Sequence, residues 1–105
     1  MEWNKLVSSN EKFLTHGTVL KVLGSYPYEE FVDFMVFDPS IKDKGLGLIV
    51  SSGYKAGLVL VILPHESGEH SLSREWLIKN WQHWVYPECD VSDVYIRDYY
   101  ESTSI

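Results

Sequence analysis

Apolar positions in the middle of the chain gather into three runs of strand length, at 31–37, 45–51 and 57–63, each bounded by turn-forming residues. Asp38-Pro39 and the polar stretch 40–44 separate the first two runs. Gly53-Tyr54-Lys55-Ala56 separates the last two, and a connection that short predicts an antiparallel hairpin, stopped by Pro64. Upstream, residues 18–23 read Thr-Val-Leu-Lys-Val-Leu, rich in β-branched side chains. They end at Gly24-Ser25, which predicts a further strand followed by a loop through Tyr26-Pro27-Tyr28. Downstream, residues 91–100 return to alternation, with Val94 and Ile96 on one side and Asp93, Tyr95 and Arg97 on the other.

A helical period occurs at 73–84. Ser73 is placed to cap it, Glu75 lies in the first turn where the helix dipole favours an anion, and Pro87 ends it. Leu77, Ile78, Trp81, Trp84 and Val85 fall on one stripe, the expected core side, whereas Trp76 falls with Asn80 and His83 on the opposite face and is expected to be exposed. Near the start, Ser8-x-x-Glu11 has the form of a capping box, with Phe13 and Leu14 following and Gly17 as a stop, which predicts a short helix or turn.

The strands are apolar almost throughout, with only Asp33 polar in 31–37 and nothing polar in 58–63. Such strands predict a sheet covered on both faces. One helix covers one face, so the other is assigned to the N-terminal segment with Trp3, Leu6, Val7, Phe13 and Leu14, or to a partner subunit. The expected fold is α+β: a mostly antiparallel sheet of about five strands, one main C-terminal helix packed on it, and a short N-terminal element, in a single domain 1–105.

Composition adds a direction to this frame. Nine Lys and Arg stand against fifteen Asp and Glu, a net charge of -6, and the nine cations are scattered. Phosphate backbones need a basic stripe, so nucleic acid is excluded as a direct partner and a charged partner is expected to be basic. The first residues lack the layout of a signal peptide and no run reaches membrane-span length, which predicts a cytoplasmic protein with no membrane partner. Cys89 is the lone cysteine, so no internal disulfide forms. Five of the acids, Glu88, Asp90, Asp93, Asp98 and Glu101, crowd the last eighteen residues beside Tyr86, Tyr95, Tyr99 and Tyr100. Acids interleaved with aromatics have the composition of an interface.

Catalytic groups are not indicated. Cys89 with His83 is the nearest approach to a thiol–base pair, but flanking carboxylates disfavour the thiolate. His65-Glu66-Ser67-Gly68-Glu69-His70 holds metal-ligating types without a metal-site spacing, and reads as a solvated loop. The glycines at 45, 47, 53 and 57 precede no helix and make no phosphate loop. Glu29-Glu30 and the C-terminal acids read as surface acids. No metal or cofactor is expected.

Two stretches carry a resemblance: Gly47-Leu48-Ile49-Val50-Ser51-Ser52-Gly53-Tyr54-Lys55-Ala56-Gly57-Leu58, and Trp76-Leu77-Ile78-Lys79-Asn80-Trp81-Gln82-His83-Trp84-Val85-Tyr86-Pro87-Glu88-Cys89-Asp90-Val91. They resemble the immunity protein forty-five family of bacterial polymorphic-toxin and contact-dependent inhibition systems. The resemblance implies a non-catalytic protein that binds and blocks a cognate toxin C-terminal domain. Together with the acidity it points to a nuclease toxin with a basic surface, met by Glu88, Asp90, Asp93, Tyr95, Asp98 and Tyr86, with Trp76 as an apolar anchor. The alternative is a small hydrolase or ligand-binding domain with a pocket between helix and sheet near His83 and Cys89. The free protein is expected to be a monomer or a homodimer.

Overall fold

The computed structural model describes residues 3–102, so the first two and last three residues of the expected 1–105 unit lie outside the described residues. In chain order the elements are β1 (Asn4–Lys5), β2 (Phe13–Leu14), β3 (Val19–Leu23), β4 (Phe31–Phe37), β5 (Lys44–Val50), β6 (Val59–Pro64), β7 (Leu72–Ser73), α1 (Arg74–Trp84) and β8 (Tyr95–Arg97), with 3-10 turns at Leu6–Ser8, His65–Ser67 and Val91–Asp93. Among the described residues six strands form one antiparallel sheet in the order β1-β8-β3-β4-β5-β6, and β2 pairs with β7 in a separate ribbon. The α+β class is as expected. The sheet has one strand more, because the two-residue β1 pairs with β8.

Two local expectations are refined. Of the short helix or turn expected at Ser8-x-x-Glu11 it is the turn that forms: the Ser9 hydroxyl accepts from the Glu11 amide at 3.0 Å, and the chain goes on into β2. Its carbonyls are taken by a side chain from α1, since Arg74 donates to the Glu11 oxygen at 2.7 Å and to the Leu6 oxygen at 2.9 Å. The strand expected over 91–100 shrinks to Tyr95–Arg97, because the Asp90 carboxylate caps a 3-10 turn by accepting from the Ser92 amide and hydroxyl. Its alternation survives, with Val94 and Ile96 buried and Tyr95 exposed.

The core lies between α1 and one face of the sheet. Leu20, Val22, Val32, Phe34, Val36, Leu46, Leu48, Val50 and Ile96 project toward Leu77 and Trp81. Ser73 caps the helix through the Trp76 amide at 3.1 Å, and the Trp81 indole N–H donates to the Cys89 carbonyl at 2.9 Å. Trp84 departs from the expected core stripe and is 40% exposed. It is the last residue of α1. Trp76, expected outside, is half-buried against the core with its ring centre 6.0 Å from that of Trp84.

Of the two covers expected for the far face, the N-terminal segment supplies little, although Val19 is fully buried there. The N-terminal segment sends Leu6 and Leu14 into the helix-side core and leaves Val7 and Phe13 exposed. Of the residues assigned to this role only Trp3 packs over the far face, where Lys21 and Arg97 stand 4.8 and 5.2 Å from its ring centre. Across that face runs a row set by strand register, Lys5–Tyr95–Lys21–Asp33, with Leu23 opposite Phe31 beyond it. Lys21 meets Asp33 at 2.7 Å.

Tyr100 closes this row, with its hydroxyl 2.9 Å from Asp33 and 2.7 Å from the Ser51 hydroxyl. Desolvation, reinforced by the Asp33 hydrogen bond and charge, pushes the Tyr100 phenol up from 10.0 to about 12, against the opposing Ser51 bond and Arg97 charge. The folded state therefore holds this proton more tightly than the unfolded chain, and stability falls as pH rises from about 10 to about 12. Tyr100→Phe is expected to flatten that fall. Denaturant midpoints of both proteins across this window check it, and identical slopes refute the assignment.

Both sheet edges are blunted. β1 is two residues long and carries Lys5, while β6 has a bulge at Leu60, between its pairings to Leu48 and Ile49, and ends at Pro64. Short length, charge, bulges and proline are the features that keep an edge from templating another strand.

Candidate functional site

The hairpin of β3 and β4 ends in the loop 24–30, and the turn after α1 is fastened to it. The Tyr86 hydroxyl accepts from the Ser25 amide at 3.0 Å, and its ring meets Tyr28 and Phe34 edge-on at 5.7 and 5.8 Å. Tyr86 is thus 5% exposed, a strut behind the surface. The β5–β6 hairpin closes on the same loop, because the Tyr54 amide donates to Glu29 at 3.0 Å and the Tyr54 hydroxyl donates to the Pro27 carbonyl.

These contacts gather one end of the molecule from three distant parts of the chain. It presents the acids Glu29, Glu30, Glu88, Asp90 and Asp93, all exposed, among Leu23, Tyr26, Phe31, Tyr54 and Tyr95. Tyr26 is 96% exposed and Tyr54 70%, well beyond what packing of the chain on itself requires. Asp90 combines roles: the Ser92 amide and hydroxyl hold its carboxyl below the usual range while the side chain stays in water.

The residues singled out in the sequence are divided by the fold. Glu88, Asp90, Asp93 and Tyr95 share this end. Asp98 lies beyond the other end of β8, next to Glu11 and Thr15, and five extended residues of about 3.3 Å each put it up to roughly 16 Å from Asp93. Trp76 is on the helix side, away from the sheet face that carries Tyr95. Glu29 and Glu30 join the site through the Leu23–Phe31 pairing, and the turn signal at Gly24-Ser25 between two strands was the feature that foretold their position.

The one thiol is not prepared as a nucleophile. Cys89 is buried, and desolvation, with added repulsion from Asp93 and Asp90, pushes its thiol up against a smaller opposing effect of the Leu23 backbone. That is the reverse of what a reactive thiolate needs. His83 is exposed at the end of α1. In the 65–70 segment, expected to be a solvated loop, His65, Glu66, Glu69 and His70 are exposed. Ser67, however, is fully buried and donates to the Pro64 carbonyl at 2.7 Å. Among the described residues no group of three or more His, Cys, Asp or Glu is placed to hold a metal ion, and no helix is long and apolar enough to cross a membrane.

Comparison with curated proteins and with solved structures finds no match. The sequence profile of one family, described as immunity protein 45, matches residues 6–96, a span that includes the hairpin, α1 and the turn that follows it. With the match running from Leu6 in the core to Ile96 of β8, most of the chain, the protein belongs to the immunity protein 45 family.

Proposed function

We propose that the chain is a cytoplasmic, non-catalytic inhibitor of a cognate toxin domain of a polymorphic-toxin or contact-dependent inhibition system. It occludes the toxin sterically and electrostatically with its acidic aromatic end. The family match carries the reading. The surface is supported by the gathering of five exposed carboxylates with exposed aromatics in a protein of net charge -6. A nuclease fits as the target, because its substrate surface is basic and an opposing acidic face raises the association rate. Trp76 and Asp98, lying elsewhere, are left out of this face, and Tyr86 supports it from inside.

Glu30, Glu88 and Asp93 are the carboxylates to reverse, since Asp90 and Glu29 also hold local backbone in place. With the toxin domain encoded by the adjacent gene, the triple lysine variant is expected to associate roughly tenfold or more slowly at low salt, and wild-type association is expected to slow as salt rises. Stopped-flow kinetics with a toxin-activity assay measure both. Rates indifferent to salt and to the reversal rule out an acidic docking face.

A further inference from the structure

The acidic end is not flat. Where β3, β4 and the start of β8 meet, the far face of the sheet dips into a groove of about 290 Å³, with Leu23, Phe31 and Tyr95 as walls, Lys21 on the floor and Asp93 at the rim. Leu23 and Phe31 are 48% and 52% exposed, so the walls are apolar surface left in water. The floor cation is already committed, with its ammonium 2.7 Å from Asp33 and over the Trp3 ring. Lys5, on the outer side of Tyr95, demonstrates the chemistry available at the rim. Its ammonium stands 5.2 Å from the Tyr95 ring centre and 3.8 Å from Asp93 while it donates to the Ser92 carbonyl at 2.9 Å.

We propose that this groove is the anchor site for an arginine side chain of the toxin, an assignment that rests on the toxin-binding reading. The arginine methylenes lie along Leu23 and Phe31, and the guanidinium faces the Tyr95 ring and the Asp93 carboxylate. Arginine suits the site because its apolar stem, flat cation and weak hydration match apolar walls, an aromatic face and a carboxylate together. A purely apolar side chain would fill the walls but cover the Asp93 carboxylate, which Lys5 meets only at 3.8 Å, without adding a donor to it. An acidic one would meet the Asp93 carboxylate with like charge, and the two ammonium groups at hand are already engaged, Lys21 by Asp33 and Lys5 by Asp93.

Two measurements test the proposal. In the first, N-acetylarginine amide is titrated into the ¹⁵N-labelled protein, with N-acetylcitrulline amide as the uncharged match in shape. Saturable shifts are expected at Leu23, Phe31, Asp93 and Tyr95 with the arginine compound, weaker with citrulline and lost in Asp93→Asn. Shifts that are absent, equal for both compounds or retained in Asp93→Asn overturn the groove. In the second, Phe31→Ala and Asp93→Asn are each expected to weaken binding of the adjacent gene's toxin domain by about tenfold or more, with Asp98→Asn unchanged. Circular dichroism confirms that each variant is folded. Wild-type binding with unaltered affinity in Phe31→Ala and Asp93→Asn overturns the anchor and leaves the immunity reading standing. A wild-type protein that does not bind that toxin refutes the immunity reading, and the arginine titration then decides the groove by itself.

Discussion

Replacing Trp81 with alanine is expected to leave the protein largely unfolded near 37 °C. The side chain is fully buried between α1 and the sheet, and truncating a buried Trp costs about 3–5 kcal/mol in lost transfer energy and cavity. The indole also donates to the Cys89 carbonyl, so alanine strands that oxygen inside the protein at a further cost of about 1–3 kcal/mol unless water reaches it. Against a total stability of roughly 5–15 kcal/mol for a domain, the loss is most of what holds it together. Trp81→Phe keeps most of the volume and is expected to lose about 1–3 kcal/mol, chiefly from the unpaired carbonyl. Urea denaturation followed by circular dichroism separates the two. A Trp81→Ala midpoint close to wild type would mean that the core between helix and sheet is not where the stability lies.

The second large effect is expected at Gly68, a residue far from the proposed interface. Its φ of +124° and ψ of 134° lie where side chains are strained by about 1–3 kcal/mol, and a Cβ there would fall on the Ser71 carbonyl oxygen. Relief of that overlap must move backbone. The turn cannot yield easily on its other side, because it lies on Gly45 of β5, where an added Cβ would meet the Ser67 hydroxyl at 2.7 Å and the Gly68 and Pro64 carbonyls at 2.8 Å. Gly68→Ala is therefore expected to cost about 3 kcal/mol or more, combining backbone strain with displacement of the buried Ser67. Thermal melts check this, and a drop in Tm of only a degree or two would show that the turn adapts.

The central strands and α1 were legible because each is a run long enough to impose its own period: 31–37 becomes β4 residue for residue, and Ser73 caps the helix as its position predicts. The two-residue strands β1, β2 and β7 carry no period of their own. They exist because partners far along the chain present an edge, Tyr95–Ile96 for β1 and Leu72–Ser73 for β2. Periodicity also gives an angle about the helix axis without an axial position: Trp84 lies on the apolar stripe, yet as the last residue of α1 it is exposed.

The candidate surface was half legible for a related reason. Nearness in sequence grouped Asp93 with Asp98, yet an extended β8 carries them to opposite ends. Glu29 and Glu30, more than fifty residues before Glu88, are brought to the same end by the Tyr86–Ser25 hydrogen bond and the Leu23–Phe31 pairing. Tyr86 was assigned to the surface as an aromatic beside acids. Its ring instead finds the Phe34 side of the core, and only its hydroxyl looks outward, to a backbone amide.

A protein with an exposed apolar sheet face needs sheet edges that do not pair with a second copy. The Leu60 bulge and Pro64 on the outer strand, and Lys5 on the short opposite one, bear on that requirement. A sheet whose strands are apolar on both faces would grow by edge addition at high concentration if its ends were straight and neutral. With a two-residue, lysine-bearing strand at one end and a bulged, proline-ended strand at the other, neither end offers a straight, neutral edge for that growth.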